Sequence, residues 1–362
     1  MSRSTIHLPR SARRLLSTAG ALALAGVLVV GCTSNEPDEE DNEGDGEAAP
    51  ASDENSGGSS NDETGETVTI GFSGPEADHG WLAAINSSAL EEAEKYDDID
   101  LRATEGTNDP GLQIQQVETF INEGVDAIVL LPTDGASLTD VAQRAMDAGI
   151  PVVNVDREFS SPFAARTTIL GDNYGMGVSA GTYACQLIEE NNISDPVIAE
   201  IAGIDSLPLT QDRSEGFAEA LSNCGQEVDN RVAAEFTVES GEAEASNLLQ
   251  AAPEIDIIWN HDDDQGVGVK AAFENAGRDE FFFIGGAGSC NAMDWIENGE
   301  MEATVLYPPT QAADGIRLAR LIAQGKGMSD LVQVAVPRRI VLDAPVVTAD
   351  NVDEHREGCF DS

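Results

Sequence analysis

Two similar lobes of the α/β class, each built on a doubly wound parallel β-sheet, are what this 362-residue sequence predicts. Three observations lead there. From Thr67 onward, short β-branched runs alternate with amphipathic stretches, a pattern that favours parallel strands joined by helical crossovers. The alternation breaks once and then resumes, which implies a second sheet. One strand–loop–helix–strand plan also occurs twice at a nearly constant offset.

In chain order, Val68 to Phe72 is expected as a strand and Trp81 to Tyr96 as a helix whose Leu82, Ile85 and Leu90 face the core. Asp100 to Thr104 (strand), Gly111 to Asn122 (helix), Ala127 to Leu131 (strand), Ser137 to Ala148 (helix) and Val152 to Val155 (strand) complete the first series. The second runs Gly175 to Glu190 (helix), Val197 to Ile201 (strand), Asp212 to Ser222 (helix) and Val232 to Phe236 (strand). The repeat sets Val125-Asp126-Ala127-Ile128-Val129 against Ile255-Asp256-Ile257-Ile258-Trp259. Ala148-Gly149 and Ala276-Gly277 close the two helices, and Pro151-Val152-Val153 and Phe281 to Ile284 open the next strands. Asp126 and Asp256 are 130 residues apart and Gly149 and Gly277 are 128 apart, so register is kept within two residues across the unit.

The formal charge of −47 excludes a nucleic-acid binder that works through a basic footprint. It is unevenly spread. Residues 1–31 hold four arginines and no acid, residues 32–66 hold 13 acids and no base, and the remainder holds 15 bases and 53 acids. With only three lysines (Lys95, Lys270, Lys326), such a surface suits high salt, where a short Debye length screens self-repulsion; an acidic composition without a salt requirement is the alternative.

Arg10, Arg13 and Arg14 precede the apolar run Ala21 to Val30, which is too short to span a bilayer and matches the core of a signal peptide. Val29-Val30-Gly31-Cys32 resembles a bacterial lipobox, which implies cleavage before Cys32 and its diacylation, with 1–31 as the signal. S-A-R-R-L-L-S at Ser11 to Ser17 partly resembles a twin-arginine signal but lacks its aromatic and lysine, so the export route stays open. Residues 32–66 hold almost no large apolar side chain and read as a disordered acidic tether. Cys185, Cys224, Cys290 and Cys359 are even in number in an exported chain. Three connectivities are possible; Cys185 with Cys224 and Cys290 with Cys359 is the expected one, with buried free thiols as the alternative.

Ligands of parallel sheets sit outside the carboxyl ends of the strands. The loops expected there are polar: Ser73 to Trp81, Asp156-Arg157, and Asn260-His261-Asp262-Asp263-Asp264. Several segments, taken in order and spacing, carry a family resemblance: I-G-F-S and H-G-W (Ile70 to Trp81), G-V-D-A-I-V-L-L-P-T-D (Gly124 to Asp134), A-G-I-P-V-V-N-V-D-R (Ala148 to Arg157), G-D-N (Gly171 to Asn173), R-S-E-G-F (Arg213 to Phe217) and A-T-V-L-Y-P (Ala303 to Pro308). From about Thr67 to Val341 the chain resembles the periplasmic sugar-binding proteins of ABC transporters in the ribose-binding class, nearest the galactofuranose-binding kind.

That resemblance implies the type I periplasmic binding protein fold, two lobes joined by a three-crossing hinge. Lobe 1 would be 67–171 plus 308–334, and lobe 2 would be 172–307 plus 335–362. It implies a ligand site at Asp78, His79, Trp81, Asp156, Arg157, Arg213, Phe236, His261 and Tyr307. His79 would give a polar contact, Trp81 and Phe236 aromatic walls around a ring, and Asp156 and Arg157 a grip on adjacent hydroxyls. The chemistry suits a sugar, which shows apolar C–H faces to rings and hydroxyl edges to planar charged groups. Three positions depart from the family pattern. His261 stands where Asn usually precedes Asp, Gly285-Gly286-Ala287-Gly288 replaces G-F-D-G, and Tyr307 replaces a Gln. The loss of a carboxylate and an amide favours a sugar or polyol with fewer hydroxyls on that edge, or a ligand other than a plain pentose or hexose.

Competing readings are specific. Gly177-Val178-Ser179-Ala180-Gly181 matches G-x-S-x-G, which would make Ser179 a hydrolase nucleophile if it stood on a turn after a strand; inside a helix its small residues serve packing. His261 with three aspartates is either a metal site or a solvated acidic turn, and the second is the expected reading, with no metal and no cofactor. The sequence therefore predicts a non-enzymatic, monomeric, lipid-anchored receptor on the outer face of the cell membrane. It would bind a small neutral sugar or polyol and deliver it to an ABC permease and its ATPase, with a sensory receptor feeding a chemoreceptor or kinase as the alternative.

Overall fold

The computed structural model describes residues 63–326 and 336–362. The signal segment, Cys32, the tether up to residue 62 and residues 327–335 lie outside the described residues.

The first series runs β1 (Val68–Ser73), α1 (Gly80–Glu94), β2 (Ile99–Ala103), α2 (Pro110–Glu123), β3 (Ala127–Leu130), α3 (Gly135–Asp147), β4 (Val152–Val155) and β5 (Thr167–Gly171). The second runs α4 (Asn173–Asn191), β6 (Ile198–Ala202), α5 (Pro208–Asn223), β7 (Asn230–Ala233), α6 (Val238–Ala251), β8 (Ile257–Asn260), α7 (Asp263–Ala276), β9 (Phe282–Ala287), α8 (Cys290–Asn298) and β10 (Ala303–Leu306). Then α9 (Gln311–Ala323) and β11 (Arg339–Leu342) return to the first lobe, and β12 (Val346–Thr348) and α10 (Val352–His355) to the second.

The helices begin where acceptors stand ready. Asp109, with Pro110 at the first helical position, accepts from Gly111 N and Leu112 N; Asp134, Asp172, Thr237, Asp262 and Ser289 cap α3, α4, α6, α7 and α8 in the same way. Gly124 and Gly277 end α2 and α7 in the left-handed conformation. The central strands are buried on both faces, as parallel strands between helical layers must be: β3 and β8 have no exposed residue.

Strand order is β11-β5-β4-β3-β1-β2 in one sheet and β12-β10-β9-β8-β6-β7 in the other, every pairing parallel except β10 with β12. The repeated sequence unit is β3-α3-β4 in one lobe and β8-α7-β9 in the other, at equivalent places in the two sheets. The chain crosses between lobes around Asp172, between Leu306 and Gln311, and between Leu342 and Val346, and the first and third crossings are tied by Asp172 N donating to Leu342 O at 2.9 Å.

Several expectations shift. The return to the second lobe was expected at 334–335, but Arg339–Leu342 pairs with Thr168–Gly171, so the first lobe extends to Leu342. Leu90 is 43% exposed; α1 buries Trp81, Leu82, Ile85, Ala89 and Ala93, and Leu90 falls one step of about 100° off that stripe. The strand expected over Val232 to Phe236 ends at Ala233, because Phe236 takes a left-handed φ of 62° just before the cap of α6.

Cys185 is bonded to Cys224 and Cys290 to Cys359, the pairing the sequence favoured. Gly177 to Gly181 lies inside α4, and Ser179 Oγ donates to Ala344 O at 3.1 Å, so the turn a nucleophile elbow requires is absent there. The glycines serve packing: a Cβ on Gly177 would stand 2.0 Å from the carbonyl oxygen of Arg213, where α5 lies against α4. Among the described residues no helix is long and apolar enough to cross a membrane.

Candidate functional site

The carboxyl ends of both sheets face one cleft, and three non-glycine residues around it hold left-handed backbone: Asp156 (φ 64°) after β4, Phe236 (φ 62°) after β7 and Ala287 (φ 99°) at the end of β9. Such conformations cost of order 1–3 kcal/mol each and persist where surrounding structure fixes them, typically at ligand sites.

Tyr307, at the second crossing, is the centre of the arrangement. Its hydroxyl donates to Asp156 Oδ1 at 2.5 Å and accepts from Asn173 Nδ2 at 3.1 Å, which joins a carboxylate of the first lobe to an amide of the second. Its ring lies 5.3 Å from the Trp81 ring, and the Arg213 guanidinium stands 4.6 Å from its centroid, within cation–π range. Trp81 Nε1 donates to Tyr307 O at 2.9 Å. Burial raises the Tyr307 phenol well above the usual tyrosine range, with the Asp156 charge adding to it, so the hydroxyl keeps its proton.

Arg213 is 4% exposed, with Nε on Asn173 Oδ1 at 2.9 Å and Nη1 on His261 O at 3.0 Å. Its guanidinium also stands 5.8 Å from the Phe236 ring, which in turn lies 6.5 Å from the His79 imidazole. His79 Nδ1 meets Asp78 Oδ1 at 2.6 Å, and Asp78 Oδ2 accepts from Asn108 Nδ2 at 2.9 Å. Arg157 Nη1 donates to Thr133 O at 2.7 Å, while its Nε, 3.7 Å from Asp156 Oδ2, has no hydrogen-bond partner. Beside Asp156 and Arg157 a cavity of 410 Å³ opens between the lobes, walled by Asp134 and Glu158 on one side and Asn173 and Asp212 on the other. That volume is in the range of small-molecule pockets.

Asp78, His79, Trp81, Asp156, Arg213, Phe236 and Tyr307 thus form one contact chain across the two lobes, with Arg157 on the cavity beside it. His261 enters differently. Its imidazole is wholly buried, with Nε2 2.9 Å from Glu200 Oε1 and the ring 4.2 Å from Trp259; the carbonyl, not the ring, reaches Arg213. Burial holds the imidazole below its ordinary pKa, with Glu200 opposing.

The acidic turn is not solvated. Asp262, Asp263 and Asp264 are 5%, 0% and 1% exposed. Asp262 caps α7; Asp263 accepts from Gly286 N, Gly288 N, Ser289 N and Thr304 Oγ1 at 2.7–3.0 Å; Asp264 Oδ2 accepts from Trp81 N at 2.8 Å. Among the described residues no group of three or more His, Cys, Asp or Glu is placed to hold a metal ion. Two residues the sequence reasoning left out of the site belong beside it, Asn173 and Asp264. The G-D-N at the first crossing was a signal for Asn173, but nothing in the sequence shows that an aspartate of α7 meets α1.

Known proteins share this chain's sequence pattern and fold. The ribose import binding protein of Bacillus subtilis (strain 168) is 28% identical over 71% of this chain and 84% of its own length. The galactofuranose-binding protein of Escherichia coli (strain K12) is 31% identical over 58% of this chain and 67% of its own. An ABC transporter solute binding protein from Bacillus halodurans C-125, solved with bound myo-inositol, matches with a TM-score of 0.72 at 25% identity, covering 82% of this chain and 99% of that one. The two α/β lobes have the type I periplasmic binding protein fold, and the periplasmic binding protein domain model matches residues 70–327: the chain belongs to that family.

Proposed function

We propose that this chain is an extracytoplasmic solute-binding protein that takes a small neutral sugar or polyol into the cleft between its lobes and presents the closed form to an ABC permease and its ATPase. The observation that carries the reading is the convergence of Asp156, Asn173, Arg213 and Tyr307 from both lobes and a crossing, with Trp81 and Phe236 at its flanks. Planar charged groups next to aromatic faces suit hydroxyl edges and apolar ring faces. Asp134, Glu158 and Asp212 on the adjoining cavity disfavour a free anion. Support also comes from relatives named for ribose and galactofuranose and from the neighbour solved with myo-inositol.

No catalytic step is needed. A ligand that touches both lobes stabilises the closed arrangement by contacts the open one lacks, and the work is that shift in population. A thermal-shift screen against pentoses, hexoses, furanoses and polyols tests the reading: a ligand raises the melting temperature by linkage, and a flat response to the whole panel contradicts it. The anchoring part has its own test. Cys32→Ala is expected to release the protein from the membrane fraction, and continued retention contradicts lipidation of Cys32.

A further inference from the structure

We propose that Tyr307 sets the size of the ligand by occupying a ring-sized subsite of the cleft itself. This rests on the sugar-binding reading above and names the class of solute the site admits.

The phenol has the features the cleft would ask of a sugar: a flat six-membered ring tilted against Trp81 (centroids 5.3 Å apart), with the Arg213 guanidinium 4.6 Å from its centroid, and a hydroxyl on a carboxylate and an amide. It is 3% exposed and held at both ends. The backbone is pinned by Tyr307 N to Ala287 O (3.1 Å) and by Trp81 Nε1 on its carbonyl, and the hydroxyl by Asp156 and Asn173. Room for it is made by Gly171, where a Cβ would stand 2.0 Å from Tyr307 Cε2.

With Tyr307 in place, Trp81 packs against protein, and the space left beside Asp156 is the 410 Å³ cavity on its Arg157 side. There Arg157, paired with Asp156, lines the cavity wall. That arrangement excludes a sugar ring laid against Trp81 and leaves the ligand the Arg157 side of Asp156. Tyr307 is therefore a specificity-determining residue that works by exclusion.

Isothermal titration of wild type, Tyr307→Ala and Tyr307→Phe with D-ribose, xylitol, D-galactose and myo-inositol tests this, with a ligand-free melt of each protein. Wild type is expected to prefer the smaller pair. Tyr307→Ala is expected to tighten binding of the bulkier pair, D-galactose and myo-inositol, relative to the smaller pair by about tenfold or more, since the freed volume is that of a ring. Tyr307→Phe keeps the ring and is expected to keep the wild-type order. An unchanged order in Tyr307→Ala overturns the proposal while leaving the sugar-binding reading intact, and so does a wild type that prefers the bulkier pair. If Tyr307→Ala fails to fold, an order in Tyr307→Phe that departs from wild type overturns it. Failure of every protein to bind any of the four removes the proposal together with the reading beneath it.

Discussion

Replacing Asp264 with alanine tests how the two lobes are held together. Helix α1 begins the first lobe's contribution to the cleft, yet its own N-cap residue, His79, makes no side-chain capping bond. The acceptor comes from the other lobe: Asp264, in the first turn of α7, takes Trp81 N at 2.8 Å. A carboxylate at a helix N-terminus satisfies an orphan donor and meets the positive end of the macrodipole. Loss of such a cap costs about 0.5–2 kcal/mol. Burial raises the Asp264 carboxyl above its ordinary pKa, so part of the gain is offset and the lower half of that range applies. Separation of the lobes breaks this bond, so the loss falls on the closed state alone. For a protein mainly open without ligand, about 0.5–1 kcal/mol is a weakening of about two- to fivefold in ligand affinity. Titration calorimetry of wild type and Asp264→Ala reads that change, and small-angle scattering reads the accompanying loss of compaction with ligand. Equal affinity in the two proteins would refute the reasoning, as would a large fall in the ligand-free melting temperature, which would place the bond's contribution in a lobe and not in closure.

Two further expectations concern stability. Cys185–Cys224 and Cys290–Cys359 close loops with separations of 39 and 69 residues, so loop-closure entropy assigns each about 4 kcal/mol, and paired alanine replacement is expected to lower urea midpoints markedly; unchanged midpoints contradict the assignment. Burial pushes the Asp263 carboxyl up to about 7, against four donors that favour its charge, and raises Asp262 and Asp264 as well. An acid whose folded value lies above its unfolded one binds the extra proton in the folded state. Asp263 is therefore expected to contribute about 2 kcal/mol more stability at pH 5.5 than at pH 7.5, opposed over the same window by His261, whose imidazole is held low; urea unfolding of wild type and Asp263→Asn at the two pH values reads the Asp263 share, and equal pH dependence in the two proteins contradicts it. Asp98 and Asp205, held low by the guanidinium groups of Arg320 and Arg231, lose their contribution only as pH falls through and below the usual carboxylate range.

Much of the fold was legible because parallel strands and their crossover helices leave a strong alternation, and because the same unit is written twice, at β3-α3-β4 and β8-α7-β9. The errors have local causes. Leu90 continues an apolar series by type but not by angle, and Phe236 looks like the end of a β-run because a left-handed backbone leaves no mark on a phenylalanine. The acidic run after β8 reads as solvated because sequence shows charge but not its donors; four protein groups on Asp263 and an interlobe amide on Asp264 bury it.

Residues expected at the site lie together in the structure, but not in the expected geometry. Asp156, Arg213, Phe236 and Trp81 converge, but Trp81 was expected as an aromatic wall for a ligand ring and packs, tilted, against Tyr307, a contact between residues 226 apart. His261 was expected in the ligand site; just past the end of β8 its ring turns to Glu200 and leaves the carbonyl for Arg213. Such pairings are set by which strand ends meet across the cleft, and that information is spread over the whole chain.

The most direct measurement is calorimetric titration of wild type and Asp156→Ala with the sugar or polyol that most raises the melting temperature. Saturable one-to-one binding by wild type, weakened by about 2–5 kcal/mol in Asp156→Ala with the ligand-free fold retained, is the predicted result. Binding of equal strength in the two proteins would place the ligand elsewhere and contradict the assignment of the cleft.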